Sequence, residues 1–87
     1  MTYDEIEKII QRKTQVNSVM RISFRTRNAL NGIFIKTADY KELSHKNLWR
    51  IVSESYITAY NHSHDESLAR IFNGSEFTRL ELAINTK

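Results

Sequence analysis

The chain has 87 residues, 40% of them hydrophobic and 10% aromatic, with a formal net charge of +3 and neither cysteine nor proline. That length allows one core and one domain, residues 1–87, and the lack of cysteine excludes a disulfide or thiolate–metal framework. No stretch approaches the roughly 20 apolar residues of a membrane span, and the acidic start Met1-Thr2-Tyr3-Asp4-Glu5 is unlike a secretory signal, so a cytoplasmic protein with no membrane partner is expected.

The charge is unevenly spread: residues 1–7 carry a net −3, residues 8–50 a net +8 and residues 51–87 a net −2. A basic middle favours a polyanionic partner through counterion release, although a merely solvated polar surface has the same composition.

Thr2 followed by Glu5 is a capping-box pattern and sets a helix start. Ile6, Ile9, Ile10 and Val16 follow helical spacing, with Asp4 and Glu5 in the first turn and Arg12 and Lys13 near the end, so a helix over about 3–15 is predicted. Alternation then takes over. Met20, Ile22 and Phe24 interleave with Arg21, Ser23 and Arg25, a half-buried strand with a basic outer face. Leu30 to Lys36 reads as a second strand, with Gly32 marking a bend or bulge. Thr37 to Lys46 is polar and poorly periodic and reads as a long connection, and Leu48 to Val52 is a third strand. Residues 55–67 stay ambiguous between a short helix on Tyr56, Ile57 and Tyr60 and a loop through His62-Ser63-His64-Asp65. Two further strands are predicted at about 68–72 and 77–83.

Between those last strands stands Asn73-Gly74, a strong turn signal. A two-residue hairpin there puts Phe72 and Phe77 on one face but Ile71, Leu80 and Leu82 on the other. One buried face therefore demands a kink or a longer turn, with Phe72, Phe77 and Leu80 all available to the core.

Little in the chain asks for enzyme chemistry. His62 and His64 with Asp65 are suitable metal ligands, but no third or fourth ligand stands at a recognised spacing. Ser53-Glu54-Ser55 lacks the flanking glycines of a nucleophile elbow. A non-enzymatic chain with no cofactor is expected. Arg21, Arg25, Arg27 and Lys36 are the better candidates: the first two share a strand face, Arg27 adjoins it, and Lys36 lies on the paired strand nearby. Such a face tracks a phosphate backbone, with Tyr40 or Trp49 as a stacking surface. The competing readings are edge charges that prevent aggregation, and a Trp49 that belongs to the core.

Phe72-Asn73-Gly74-Ser75-Glu76-Phe77-Thr78-Arg79-Leu80 resembles the second signature of Sm-like proteins. Met20, Ile22 and Phe24, Gly32, Asp39 and Lys46-Asn47-Leu48 resemble the first more loosely. The resemblance implies an N-terminal helix followed by a five-stranded antiparallel bent sheet, an α+β fold forming a small Sm-like or SH3-like barrel over about 19–84. It also implies contacts to uridine-rich RNA at Asn47, Asn73 and Gly74 with stacking on Tyr40, and pairing of strand edges between subunits. Asn73 stands where that family has an RNA-contacting arginine. Leu68 to Gly74 with Glu76-Phe77-Thr78 is also similar to the ending of small bacterial proteins, a likeness that carries no function. The expectation is thus a binding module that contacts RNA through its basic face; the alternative is a protein–protein adaptor or a self-assembling homo-oligomer.

Overall fold

The computed structural model describes residues 1–13 and 19–83. The first helix, α1, spans Tyr3–Lys13. Its capping box is formed: the Thr2 N–H donates to Glu5 Oε1 at 2.9 Å and the Glu5 N–H to Thr2 Oγ1 at 3.2 Å. The bond from the Thr2 N–H is the main reason the Glu5 carboxyl lies below its usual pKa. Ile6 and Ile10 are buried, as their spacing predicts, whereas residues 14–16, including Val16, lie outside the described residues.

Five strands follow: β1 Met20–Phe24, β2 Leu30–Phe34, β3 Leu48–Ser53, β4 Arg70–Asn73 and β5 Phe77–Leu82. All pairings are antiparallel, in the order β4-β3-β2-β1-β5. The fold is therefore α+β, with β4 and β5 at opposite edges. Those edges are nonetheless joined by only the 3₁₀ turn Gly74–Glu76. Four strand spacings in a flat sheet would be about 19 Å, while the four peptide steps from Asn73 to Phe77 reach about 14 Å even when extended. The sheet must curl. Across the curl the Phe24 ring on β1 meets the Phe72 ring on β4 at 5.8 Å, although three strand positions separate them. No β4–β5 ladder is formed among the described residues, so the sheet is open where a barrel would be closed.

The predicted conflict of phase around Asn73-Gly74 is resolved by this turn. Phe77 and Leu80 are buried and Phe72 packs against the same cluster, while Ile71 faces out, 48% exposed. The turn is pinned at both ends: the Gly74 N–H donates to the Asn47 carbonyl at 2.7 Å and the Arg25 N–H to the Glu76 carbonyl at 3.0 Å.

The inner face of the curl holds Met20, Ile22, Trp49, Ile51, Phe77 and Leu80, with Ile6 and Ile10 of α1 packed among them. Burying each such side chain contributes about 1.5–3 kcal/mol. A second, smaller cluster of Ile33, Ile35 and Val52 lies on the outer face, against Ile57 and Tyr60. Ile51 and Val52 are neighbours in β3 and both are buried, so this strand is covered on both sides.

Several expectations need correction. Thr37 to Lys46 is not wholly a connection: Tyr40–His45 forms a helix, α2. Its packing rather than its periodicity explains it, since the Tyr40 ring meets Trp49 edge-on at 6.0 Å and Ser44 is buried. The ambiguous stretch contains a 3₁₀ turn at Glu54–Tyr56, a helix α3 at Ile57–Ser63 and a 3₁₀ turn at Glu66–Leu68, so β4 starts at Arg70 rather than about 68. Gly32 makes neither a bend nor a bulge. It lets two strands approach, because a β-carbon there would stand 2.6 Å from the Val52 carbonyl oxygen. The register shift is instead on β1 against β5, between Ser23 and Phe24.

Candidate nucleic-acid interface

The β1–β2 hairpin end gathers three of the four basic residues nominated from sequence. Arg27 follows β1 and lies across two rings, its guanidinium carbon 5.1 Å from the Phe24 centroid and 5.6 Å from that of Phe72. Such contacts fix the direction of a long side chain while leaving its N–H groups free. On β4, Arg70 pairs with Ile51 and Phe72 with Trp49, so both side chains belong to the inner face. Arg27 and Arg70 together border a hollow of about 230 Å³ at the open mouth of the curl. Leu30, Ile51, Leu68 and Phe72 supply its apolar lining, and Tyr56, 51% exposed, stands at its border. Among the described residues no acidic side chain lines this hollow. Among the described residues, neither guanidinium has a hydrogen-bond or ion-pair partner.

Arg21 and Arg25 extend the basic surface on either side. Arg21 is exposed on the outer face and lines a neighbouring hollow of about 350 Å³, which shares Leu30 and Ser53 with the first. Arg25 is exposed too, and its Nε donates to the Ser75 carbonyl at 3.3 Å. Glu54 and Glu76 line the hollows at the margins of this region. Lys36 is not brought to it. It follows β2 at the end opposite Arg27, where its Nζ lies 5.2 Å from the Tyr40 ring centroid.

The positions carried by the Sm-like resemblance are engaged inside the fold. Asn47 adopts a left-handed backbone with φ of 62°. Its Oδ1 accepts from Trp49 Nε1 at 2.8 Å, and its Nδ2 donates to the Met1 carbonyl at 2.9 Å. Gly74 is buried beside it, and the Met1 nitrogen donates to the carbonyls of Gly74 and Phe77, each at 2.9 Å. These residues hold the start of the chain against the β4–β5 connection. The exposed Asn73 uses its side-chain oxygen to cap the turn, accepting from the Ser75 N–H and hydroxyl, each at 2.9 Å. Tyr40 is half-buried, and its hydroxyl donates to Glu7 Oε1 at 2.6 Å, tying α2 to α1. Burial first, and then the Glu7 carboxylate, push its phenolic pKa up.

A further charged pair is partly exposed, and its Arg50 lines a hollow with Arg27 and Arg70. Arg50 Nη2 donates to Asp39 Oδ2 at 2.9 Å and Nε to Oδ1 at 3.3 Å, and the Thr37 hydroxyl donates to the same carboxylate. The Arg50 bonds, then that of Thr37, hold the Asp39 carboxyl down at about 2. His62 and His64 are exposed at the end of α3, and Asp65 accepts from the Ser67 hydroxyl and N–H. No cluster of three or more potential metal-ligating side chains occurs among the described residues.

Sequence reading missed Arg70, Phe72 and Tyr56 as site residues. Arg70 and Phe72 stand two apart in a strand and so share a face, which was a readable signal. Their meeting with Arg27 depends on the curl, which was not. Chemically, two guanidiniums beside a hollow of mixed polar and apolar lining suit an anion joined to a flat or apolar body. Among the described residues no helix is long and apolar enough to cross a membrane. The chain matches no family model, no curated protein and no solved structure.

Proposed function

We propose that the protein is a non-enzymatic binding module that takes single-stranded RNA at the arginine-lined mouth of its curled sheet. The observation that carries this reading is that Arg27 and Arg70 border one hollow, neither with a hydrogen-bond or ion-pair partner among the described residues, beside exposed or partly exposed aromatic rings. Guanidiniums attract the phosphate backbone, and aromatic faces stack the unpaired bases that a single strand offers. Arg21 and Arg25 continue the positive surface around the same hairpin. The Sm-like resemblance makes uridine-rich RNA the first ligand to test. Its usual contact positions are occupied here by internal bonds at Asn47 and Gly74, so the arginine mouth is the stronger surface. Titration of a labelled uridine-rich oligonucleotide at two salt concentrations tests this reading. Saturable binding that weakens as salt rises is expected, and no binding at low salt would remove it.

A second reading has its own observation. Among the described residues β4 and β5 are open edges, and Ile71 on β4 is half exposed in the middle of one of them. Unpaired edge backbone is a template for another strand. In this reading the chain assembles by joining β4 of one copy to β5 of the next. Light scattering would then give a mass that is a multiple of 10.3 kDa, and a stable monomer counts against it.

A further inference from the structure

Resting on the RNA reading, we infer that the hollow between Arg27 and Arg70 is a pocket for one nucleotide. A single unstacked base lies on its apolar lining, and the adjoining phosphate is held by the two guanidiniums.

The lining divides by chemistry. Leu30, Ile51, Leu68 and Phe72 are apolar, whereas Arg27, Arg70, Ser53 and Tyr56 supply the polar groups. A phosphate chain alone would gain nothing from the apolar part, and an apolar ligand alone would leave two guanidiniums without a partner. A nucleotide uses both. The Arg27 guanidinium is already placed by the Phe24 and Phe72 rings, so little side-chain freedom is lost when it takes a phosphate. Tyr56 is half exposed at the border of the hollow, with its ring in reach of a base entering from solvent. The second hollow, beside Arg21, shares Leu30 and Ser53 with the first and gives the strand a path onward.

The test compares two labelled strands of equal length by fluorescence anisotropy at low salt, one uridine-rich and one with abasic sites throughout. With the whole protein, the abasic strand is expected to bind about tenfold more weakly, since base–aromatic stacking supplies part of the affinity. Tyr56→Ala, at an exposed position, is expected to weaken the uridine-rich strand roughly fivefold, leave the abasic strand unchanged and preserve the circular dichroism spectrum. Equal affinities for the two strands, unaffected by Tyr56→Ala, would overturn the pocket while leaving an arginine surface for polyanions. Binding of neither strand would overturn the RNA reading itself.

Discussion

The side chain of Asn47 fills the space that a β-carbon on Gly74 would need. That carbon would overlap Asn47 Oδ1 and stand 2.6 Å from Ile6 Cδ1 and 2.8 Å from Asn47 Cγ. Gly74 has no positive φ, so the demand there is for room rather than for backbone freedom. The same Asn47 oxygen accepts the Trp49 indole N–H, so it cannot swing aside without loss. Gly74→Ala is therefore expected to destabilise the fold by about 1–3 kcal/mol, the usual cost of overpacking. The midpoint of urea unfolding measures this.

Asn47 itself separates two effects. Alanine there removes the acceptor of Trp49 Nε1 and the donor to the Met1 carbonyl, and keeps a side chain in a left-handed backbone. An orphaned donor costs about 1–3 kcal/mol and the backbone about 1–2 more for a residue without a local polar group. Glycine removes the bonds but tolerates the backbone. Asn47→Gly should thus be more stable than Asn47→Ala by about 1 kcal/mol in the same unfolding experiment, and both should be less stable than the parent.

Asp39 gives a pH dependence with a definite sign. Its carboxyl is held at about 2 in the folded chain, below an ordinary aspartate near 4. A depressed carboxyl stabilises the fold above the unfolded value, and that contribution is lost as pH falls towards the folded one. The stability difference between the parent and Asp39→Asn should be full above about pH 5 and shrink as pH falls towards 2. Parallel denaturant curves from pH 7 to pH 2 read this directly.

Tyr40 gives the opposite window. Burial and the Glu7 carboxylate raise its phenol above the ordinary value of about 10, so the neutral form is favoured by folding. Its stabilising contribution is present below the unfolded pKa and is lost as pH rises towards the folded one. In an ultraviolet titration of the four tyrosines, one should ionise late, together with unfolding. Tyr40→Phe should remove that late step and leave the rest of the curve.

What the sequence revealed follows from where the physics is local. Thr2 and Glu5 satisfy each other within one helical turn, and Met20, Ile22 and Phe24 alternate within one strand, so both elements were readable. Helix α2 was not, because six residues make less than two turns and no apolar period can be seen. Asp39 precedes it without making a side-chain cap, its carboxylate being engaged by Arg50 and Thr37. The site was half readable for the same reason. Arg21, Arg25 and Arg27 are close along the chain, while Arg70 and Phe72 reach Arg27 only through the curl that joins β4 to β5 by three residues. Lys36 is separated from them by the full length of β2, although sequence grouped it with them.

The convergence of Arg27 and Arg70 is tested most directly by removing both charges. Arg27→Gln with Arg70→Gln keeps polar side chains at two exposed positions, so the fold should be retained. Affinity for a uridine-rich single strand should be measured for parent and variant across a series of salt concentrations. The expected result is weaker binding for the variant at every salt concentration, with a shallower salt dependence, since the phosphate held by the two guanidiniums loses its contact. A variant that binds as tightly as the parent, with an unchanged slope, would contradict the placement of RNA at this mouth.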